Sequence, residues 1–490
     1  MELQKILKRT KILESNFKNF DIDISNITCD SRQVEKGSLF VAVKGEKIDG
    51  HSFVGQVSEK GVSAVLCEVL PQNLKENVCY IKVEDTRQEL SNVSCEFYDN
   101  PSEKLILTGV TGTNGKTTTA TLLYKLFSAL GFKSGLISTV ENYVDTDVYP
   151  TANTTPGPLV INSLLAKMVE KGCQYCFMEV SSHSVVQKRI HGLKFSLGIF
   201  SNITLDHLDY HKTFQEYIKA KKGFFDSLDQ DAFALVNGDD KNGMVMVQNS
   251  KAKVKTYGLK GFYDFNASIL ECGFEGMLLN ICGKEMWSFL PGEFNAYNIL
   301  AVYSAAVLLG QSVDEVLQTL SALHSVRGRF DIVNISKITA IVDYAHTPDA
   351  LENVLNTIGE IRRESGKDNV LITVCGCGGD RDKSKRPLMA KIACRLSDKV
   401  VLTSDNPRTE NPESILDDMY AGLENKDLAK AVRISDRKSA ILSACMMARE
   451  GDIILIAGKG HETYQEINGV KHHFDDKETV SEILKGISKN

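Results

Sequence analysis

A glycine-rich loop lies between a short apolar run and a helical pattern. The run is Leu105–Val110, the loop reads Thr-Gly-Thr-Asn-Gly-Lys-Thr-Thr over 111–118, and the helical pattern covers 120–130. A strand, a glycine loop and a helix in this order bind phosphate, because loop amides and the helix N-terminus can point at an anion. Lys116 can then reach the outer phosphates and Thr117 can hold Mg²⁺. The chain is therefore predicted to bind a nucleoside triphosphate.

The loop departs from the pattern G-x-x-x-x-G-K-[ST] at its first position. Val110 stands where the first glycine is expected, and Gly112 supplies the backbone freedom instead. The alternative is an ordinary glycine-containing turn between a strand and a helix. Gly-Lys-Thr in this context favours the phosphate site.

The length and composition indicate a soluble protein of several domains. A chain of 490 residues is too long to fold around a single hydrophobic core, so we expect three domains. A net charge of −6 gives no sign of a nucleic-acid or anionic membrane partner. The N-terminus reads as an amphipathic helix, no window is apolar enough for membrane insertion, and the 12 cysteines lack a disulfide-framework spacing. We expect a cytoplasmic monomer that binds no nucleic acid and does not insert into a membrane.

Turn-rich breaks divide the chain into three α/β segments. Residues 1–98 contain short apolar strands and end before Asp-Asn-Pro-Ser. Residues 99–328 alternate apolar strands with helix-length segments, which indicates a parallel sheet with ligands at the strand C-termini. Residues 329–490 repeat this alternation without a dinucleotide fingerprint. The predicted fold class is α/β: a small N-terminal α/β domain, a central P-loop ATPase-like parallel sheet and a C-terminal Rossmann-like domain.

Polar clusters follow the apolar strands of the central segment. Glu179 ends one apolar run, and Asp206 and His207 follow another. A carboxylate and an imidazole at adjacent strand ends could complete magnesium sites beside a triphosphate, but an isolated Asp-His pair is equally typical of a surface loop. A helix beginning near Thr213 contains three lysines over 219–222, and the usual interpretation of such a turn is a solvated face.

Together with the glycine loop, these clusters resemble the Mur ligase family, which joins amino acids to a UDP-linked muramyl precursor of peptidoglycan. The resemblance covers essentially the whole chain. It implies ATP and Mg²⁺ as cofactors and a carbamoylated lysine, in which a cation has become an anion able to bridge to magnesium. The implied catalytic residues are Lys116, Glu179, His207 and Lys221. The implied magnesium ligands are Thr117, Glu179, His207 and Lys221 as its carbamate.

The resemblance also implies an ATP site shared by two domains. Asn295-Ala-Tyr-Asn298 resembles an adenine-proximal motif of the family, although Asn295 is also placed to cap its helix. Arg329 and Asp343 match positions that reach the nucleotide when the domains close. The implied ATP-binding residues are Gly112, Thr113, Asn114, Gly115, Lys116, Thr117, Thr118, Asn295, Asn298, Arg329 and Asp343.

A second set of residues resembles the family's contacts to the muramyl precursor. Asp30-Ser-Arg32 is similar to the UDP-binding domain of the members that add the third residue and the final dipeptide. The Asn, Thr and Ser side chains of this set are neutral hydrogen-bonding groups, and Arg189 can pair with a carboxylate. Thr-Thr-Pro at 154–156 could also be a simple turn. The implied precursor-binding residues are Ser31, Asn153, Thr154, Thr155, Ser181, Gln187 and Arg189.

Asp405-Asn-Pro-Arg408 predicts the amino-acid acceptor. In the resembling ligases this motif marks use of meso-diaminopimelate, whereas lysine-adding members usually depart from it. The second carboxylate of diaminopimelate suits the planar fork of Arg408, and lysine would leave that charge unpaired. The implied acceptor-binding residues are Arg381, Asp405, Asn406, Pro407, Arg408, Gly458 and Glu462.

The predicted function is ATP-dependent addition of meso-2,6-diaminopimelate to the D-glutamate γ-carboxylate of UDP-N-acetylmuramoyl-L-alanyl-D-glutamate through an acyl phosphate. The same ligation with L-lysine is one alternative. A ligase resembling folylpolyglutamate synthetase is another, and an ATP-gated scaffold without catalysis is a third. The N-terminal Asp-Ser-Arg segment and the Asp-Asn-Pro-Arg motif disfavour the folylpolyglutamate alternative, and a scaffold would not need a full acceptor pocket in the third segment.

Overall fold

The computed structural model of the protein describes residues 1–45, 48–151, 153–206, 208–366 and 368–487. Within these ranges the chain forms successive α/β segments, each built around its own sheet. The α/β fold class predicted from the sequence is confirmed. None of the helices in the described ranges combines the length and apolar character that crossing a membrane requires.

The N-terminal segment packs helices against a small sheet. Its strands are Glu14–Ser15 (β1), Asn26–Thr28 (β2), Ser38–Val41 (β3), Ala64–Cys67 (β4) and Cys79–Lys82 (β5). Its α-helices are Leu3–Ile6 (α1), Val54–Glu59 (α2) and Thr86–Phe97 (α3). The strand order is β1-β5-β4-β3-β2, with only β1 antiparallel among the paired strands described. Alternate strand residues are buried in cores on opposite faces of the sheet.

The central segment contains the glycine loop. Its strands are Ile106–Thr111 (β6), Ser134–Ile137 (β7), Asn142–Val144 (β8), Asp147–Tyr149 (β9), Tyr175–Glu179 (β10), Leu197–Phe200 (β11), Phe233–Asn237 (β12), Lys253–Gly258 (β13), Phe265–Gly273 (β14), Gly276–Ile281 (β15) and Lys284–Ser288 (β16). Its α-helices are Lys116–Ala129 (α4), Pro158–Glu170 (α5), Ser182–Val186 (α6), Leu208–His211 (α7), Phe214–Asp226 (α8), Gly243–Val247 (α9), Glu293–Leu308 (α10) and Val313–Ser321 (α11).

The order of the central strands gathers the polar clusters at one edge of the sheet. The order is β16-β15-β14-β13-β12-β11-β6-β10-β7-β8-β9, and β10, β6 and β11 are parallel neighbours. In their register Glu179 lies opposite Val110, and Phe200 lies opposite Thr111. The carboxyl ends of these strands therefore flank the glycine loop, as ligand-binding parallel sheets require.

The C-terminal segment is a third sheet, parallel except for its first strand, with helices on both faces. Its strands are Asp331–Ile335 (β17), Ile338–Asp343 (β18), Leu371–Cys377 (β19), Lys399–Ser404 (β20), Ala431–Arg433 (β21), Ile453–Ala457 (β22), Tyr464–Ile467 (β23) and Val470–His473 (β24). Its α-helices are Pro348–Ser365 (α12), Lys385–Leu396 (α13), Pro412–Tyr420 (α14), Asn425–Leu428 (α15), Arg437–Met447 (α16) and Asp476–Ile487 (α17). The order is β17-β18-β22-β19-β20-β21, and β23 and β24 form a separate hairpin.

Candidate active site

The glycine loop is shaped by close packing against neighbouring strands and helices. Gly115 precedes α4 with a φ of +85°, a conformation that side chains disfavour. A Cβ atom at Gly112 would lie 1.9 Å from the Oγ atom of Ser201, and one at Gly115 would lie 2.4 Å from the Oδ1 atom of Asn298. The two glycines are therefore required by the approach of Ser201 and Asn298.

Asn202, which follows β11, supports the loop from one side. The Thr113 amide donates to the Asn202 carbonyl at 2.8 Å, and the Asn114 amide donates to the Asn202 Oδ1 atom at 2.9 Å. These two amides are therefore occupied by the protein. The first turn of α4 supplies the amides of 115–117, which have no intrahelical acceptor and are the donors suited to a phosphate, and Thr118 is buried in the same turn.

Two lysines meet at the carbonyl of Gly112. The Lys116 Nζ atom donates to the carbonyls of Gly112 and Thr113 at 2.9 Å each, and the Lys221 Nζ atom donates to the Gly112 carbonyl at 2.7 Å. Burial, together with the nearby ammonium of Lys116, lowers the pKa of Lys221 well below its usual value. The site therefore favours an uncharged amine at Lys221.

The interpretation of the lysine-rich turn as a solvated face holds for one lysine and fails for another. The side chain of Lys219 is 78% exposed, whereas Lys221 is only 1% exposed. The buried side of α8 contains Tyr217, Lys221 and Phe224. This i, i+4, i+7 spacing is the signal in the sequence that places Lys221 on the inward face.

Glu179 links the glycine loop to the end of β10. Its carboxylate is fully buried and accepts hydrogen bonds from the Thr117 hydroxyl at 3.0 Å and from the Thr139 amide at 2.8 Å. A hydroxyl and a carboxylate are oxygen ligands that suit Mg²⁺. The predicted ligand His207 lies outside the described residues. Thr139 contacts Glu179 through its backbone amide, so no pattern of side chains in the sequence could have predicted this contact.

The C-terminal segment reaches the loop through Arg329 and Asp349. The Arg329 Nη2 atom donates to the Thr117 hydroxyl at 3.2 Å, and its guanidinium lies 4.4 Å from the ring centre of Tyr344. In the described part of the chain, the buried Nε atom of Arg329 has no hydrogen-bond partner. Asn114 donates through Nδ2 to Asp349 at 2.6 Å, a contact that sequence reasoning missed. A buried donor without a partner beside Thr117 fits an anionic ligand.

Asp343 lies directly behind this arginine. Its Oδ2 atom accepts from the Phe330 amide at 2.6 Å, and burial raises the pKa of Asp343. The carboxylate therefore fixes the backbone next to Arg329. It is placed to orient the arginine, and nucleotide contact by Asp343 stays a prediction.

Asn295 and Asn298 are buried together behind the loop. Asn298 donates through Nδ2 to the Oδ1 atom of Asn295 at 3.3 Å. The alternative that Asn295 caps its helix is wrong, because α10 begins at Glu293 after Gly292 and Asn295 lies within the first turn. The side chain of Asn295 instead donates back to the carbonyl of Pro291 at 2.9 Å.

Most of the predicted precursor contacts form a network around Thr155. The Thr155 hydroxyl donates to the carbonyl of Glu179 at 2.8 Å and accepts from the Ser181 amide at 3.0 Å. Arg189 donates through Nη1 to the Thr155 carbonyl at 2.6 Å and through Nη2 to the Oε1 atom of Gln187 at 2.6 Å. These side chains therefore adjoin the strand end that bears Glu179.

The remaining precursor contacts differ in how close they lie to this network. The hydroxyl of Thr154 accepts from Thr139 at 3.0 Å, so Thr154 lies beside the same strand ends. Asn153 is exposed. Ser31 belongs to the N-terminal segment, where its carbonyl accepts from Lys60 at 2.8 Å. The structure thus distributes the predicted precursor contacts over two segments.

A buried lysine organises the predicted acceptor site. The Nζ atom of Lys459 lies 3.7 Å from Asp405 Oδ1, 3.2 Å from Asn406 Oδ1 and 3.2 Å from Glu462 Oε2. Asn406 donates through Nδ2 to Glu462 at 2.7 Å. Burial, with the nearby charge of Asp405, raises the pKa of Glu462. Lys459 was absent from the predicted set, although it directly follows the predicted Gly458 in the chain.

Arg408 lies at the other end of this site. Its Nη1 atom donates to the carbonyl of Gly379 at 2.8 Å. A Cβ atom at Gly379 would lie 1.9 Å from the carbonyl oxygen of Pro407, so the two loops pack backbone to backbone. Arg381, which lies in the same loop as Gly379, is exposed. The predicted acceptor residues therefore cluster at the carboxyl ends of β19, β20 and β22.

The buried Arg386 joins the two acceptor loops. Its guanidinium donates to the two carboxylate oxygens of Glu410 at 2.9 and 3.0 Å, to Asp418 at 2.8 Å and to the Gly378 carbonyl at 3.1 Å. The pairing with Arg386 lowers the pKa of Glu410 to about 2. The pair therefore stabilises the fold above the ordinary carboxyl pKa of 4.5 and loses that contribution as the pH falls toward 2.

Replacing Arg386 with Met should lower the free energy of unfolding by about 2 kcal/mol at pH 7, between the costs of breaking exposed and buried pairs. The loss should be smaller at pH 3, where Glu410 is largely protonated in the unfolded chain. Urea unfolding at the two pH values measures both quantities. Arg395→Met is the control, because Arg395 lies on the same helix and its side chain is 56% exposed. An equal loss at both pH values would contradict the role of the ion pair.

Models of protein families match the chain in three consecutive parts. Residues 23–98 match "Mur ligase family, catalytic domain", residues 110–306 match "Mur ligase middle domain", and residues 328–460 match "Mur ligase, glutamate ligase domain". The middle match contains the glycine loop and Glu179, and the last contains Arg329 and Arg408.

Similar proteins match over the full length of the chain. The UDP-N-acetylmuramoyl-L-alanyl-D-glutamate–2,6-diaminopimelate ligase of Phocaeicola vulgatus is 57% identical over 99% of both chains. The ligase of the same name from Cytophaga hutchinsonii is 53% identical over 100% of both chains. A solved structure of a UDP-N-acetylmuramoyl-L-alanyl-D-glutamate–2,6-diaminopimelate ligase is 32% identical with a TM-score of 0.69, covering 100% of this chain and 99% of that one.

Proposed function

The chain belongs to the Mur ligase family, and we propose that it adds meso-2,6-diaminopimelate to the D-glutamate γ-carboxylate of UDP-N-acetylmuramoyl-L-alanyl-D-glutamate at the expense of ATP. The observation on which this depends is the 57% identity over 99% of both chains with a ligase of that name. The match includes the N-terminal segment, which disfavours the folylpolyglutamate alternative. The site geometry supports the roles that we propose below for individual residues.

The first step is transfer of the γ-phosphoryl group of ATP to the precursor. An oxygen of the D-glutamate γ-carboxylate attacks the γ-phosphorus, the bond to the bridging oxygen breaks, and ADP leaves. Lys116 and Arg329 stabilise the negative charge that develops on the transferring group, because both cations lie beside Thr117 and the first turn of α4. Asn295 and Asn298 lie behind the loop on the side proposed for the adenine.

Thr117, Glu179, the carbamate of Lys221 and His207 are the residues proposed to hold Mg²⁺. When bound, Mg²⁺ neutralises charge on the phosphates. Lys221 as an ammonium would repel a cation, but its lowered pKa favours the neutral amine that attacks carbon dioxide. The new nitrogen–carbon bond gives a carbamate, and one proton is released. Glu179 and Thr117 supply hard oxygen ligands, so the described residues fit the ion.

The second step forms the amide. The acceptor amine attacks the carbonyl carbon of the acyl phosphate, a tetrahedral intermediate forms, and phosphate leaves while the nitrogen loses a proton. Thr155, Ser181, Gln187 and Arg189 adjoin Glu179 and are proposed to hold the precursor peptide, with Ser31, Asn153 and Thr154 as further contacts. The Arg329–Thr117 and Asn114–Asp349 contacts join the two halves of the site, which must exclude water because water hydrolyses an acyl phosphate.

The acceptor is proposed to lie along the segment that ends at Arg408. Arg408 would bind the distal carboxylate, and Asp405 and Glu462 would balance the distal ammonium. Asn406, Pro407, Gly458 and Arg381 complete the proposed set. L-lysine has no second carboxylate, so its binding would leave Arg408 unpaired.

Replacing Arg408 with Ala should raise the KM for meso-diaminopimelate by orders of magnitude, corresponding to ~2–5 kcal/mol for loss of a charge-assisted contact. The KM for ATP should change little, since the glycine loop lies in another segment. Phosphate release and ligation, measured with purified precursor, ATP and Mg²⁺, report both constants. Arg395→Ala is the control for removal of an exposed arginine in the same segment.

The same assay tests the function itself. Wild-type protein should ligate meso-diaminopimelate in preference to L-lysine and should release phosphate only when precursor and acceptor are both present. Equal use of the two, or a preference for L-lysine, would overturn the acceptor assignment and leave the ligase assignment standing. Phosphate release without ligation would favour the ATP-gated scaffold.

We also propose the cytoplasm as the location, a monomer as the working unit, and domains at 1–98, 99–328 and 329–490. Arg327, just before the last proposed boundary, pairs with Asp475 of the C-terminal segment. Light scattering tests the monomer. Limited proteolysis near residues 99 and 328 tests the boundaries.

A further inference from the structure

We propose that Glu466 positions the guanidinium of Arg408, so that the hairpin of β23 and β24 is a specificity element of the acceptor site. The inference rests on the proposed role of Arg408 in binding the distal carboxylate. The hairpin consists of Tyr464–Ile467 and Val470–His473, and it begins two residues after Glu462.

The hairpin holds the backbone of Arg408 on both sides of the residue. The Arg408 amide donates to the Glu466 carbonyl at 3.0 Å, and the Asn468 amide donates to the Arg408 carbonyl at 2.7 Å. Arg408 has a φ of +52°, in the left-handed region that a residue with a side chain adopts at a cost in free energy. Because both hydrogen bonds come from the hairpin, this backbone conformation depends on the hairpin.

The same strand also holds the residues that precede Arg408. Gln465 donates through Nε2 to the carbonyl of Asp405 at 2.7 Å, and the Glu466 amide donates to the Oδ1 atom of Asn406 at 2.9 Å. The strand β23 therefore runs beside the acceptor segment. A shift of this strand would move Asp405, Asn406 and Arg408 together.

The side chain of Glu466 lies against one edge of the Arg408 guanidinium. Its Oε2 atom lies 3.6 Å from the Nε atom of Arg408, and the two side chains are 26% and 21% exposed. The Nη1 atom donates to Gly379. Among the described residues, the Nη2 atom of Arg408 makes no hydrogen bond. With Nη1 held by a hydrogen bond and Nε facing the Glu466 carboxylate, Nη2 is left for the carboxylate of the ligand.

A partly exposed ion pair such as Glu466–Arg408 would by itself contribute little to stability. A role for Glu466 in orienting Arg408 differs from such a pair, because its loss should affect only the acceptor that Arg408 binds. The difference can be measured in the separate KM values for acceptor, ATP and precursor.

Glu466→Gln removes the charge and keeps the shape of the side chain. We expect the KM for meso-diaminopimelate to rise about tenfold, with kcat changed less than about twofold, as expected when a group oriented for ligand binding is loosened. The KM values for ATP and precursor and the thermal midpoint should stay unchanged. Glu285→Gln, an exposed glutamate on β16, is the control for the change in net charge.

A double-mutant cycle with Arg408→Ala separates positioning from general damage. If Glu466 acts through Arg408, Glu466→Gln should cause no further rise in KM in the Arg408→Ala background. A wild-type KM in Glu466→Gln, or the same tenfold rise in both backgrounds, would overturn the inference and leave the proposed function intact. Failure of the wild-type protein to ligate meso-diaminopimelate would overturn both.

Discussion

Replacing Lys221 with Ala should abolish ligation at the phosphoryl-transfer step. The Lys221 amine is 1% exposed, donates to the Gly112 carbonyl at 2.7 Å, and lies beside Lys116 with a pKa well below its usual value. An ammonium in this position would be a buried cation next to a second one. A carbamate converts it into the anion that a magnesium site needs, and alanine can form no carbamate. ADP formation should fall to background in the presence of both substrates.

Lys219→Ala is the matched control, because Lys219 lies on the same helix and its side chain is 78% exposed. This variant should ligate at the wild-type rate. Short carboxylic acids, which supply the missing anion, should restore part of the activity of Lys221→Ala. Full activity of Lys221→Ala without added acid would remove the carbamate from the mechanism. Carbon dioxide depletion should lower the activity of the wild-type protein and leave the rescued variant unaffected.

Local sequence predicted the parts of the site that depend on neighbouring residues in the chain. The strand, glycine loop and helix around Lys116 could be predicted because this order of elements by itself forms a phosphate-binding site. The apolar runs before Glu179 and before Asp206 predicted strands, and both strands were found as β10 and β11. That Glu179 and Asn202 flank the same loop follows from the order β11-β6-β10, which no local pattern specifies.

The contacts that were missed join residues far apart in the chain. Asp349 bonds Asn114 across 235 residues, and Lys459 bonds Asn406 across 53 residues. Each is an ordinary polar side chain in its own neighbourhood, so its role is visible only after the sheets have assembled. Lys221 is an intermediate case, because the spacing of Tyr217, Lys221 and Phe224 already indicates one buried helix face.

The alternative that Asn295 caps its helix fails for a simple reason. Asn is a preferred N-cap, but Gly292 adopts a φ of +96° and begins the helix three residues earlier. Asn295 therefore does not cap the helix. Its side chain instead donates to the carbonyl of Pro291 and accepts from Asn298. When a glycine lies shortly before a polar residue, either of them can be the N-cap, and both positions have to be considered in predicting where the helix begins.

Replacing Lys116 with Ala should lower kcat by about three powers of ten, as loss of a preorganised charge at the transferring phosphoryl group does. In the structure Lys116 lies across the loop, bonded to the carbonyls of Gly112 and Thr113, so its ammonium is already held beside the first turn of α4. Single-turnover ADP formation reports the loss directly. The KM for meso-diaminopimelate should stay near its wild-type value, because the acceptor site lies in the C-terminal segment.

The two lysines at Gly112 should respond oppositely to added carboxylic acid. Such an acid replaces the anion lost in Lys221→Ala, but it cannot replace the cation lost in Lys116→Ala, so only the first variant should recover. Lys125→Ala, farther along the same helix, is the control for Lys116 and should stay active. Rescue of Lys116→Ala by acid would mean that Lys116, and not Lys221, provides the anion. Normal ligation by Lys116→Ala without any addition would show that the loop around Gly112 does not hold the reacting phosphates.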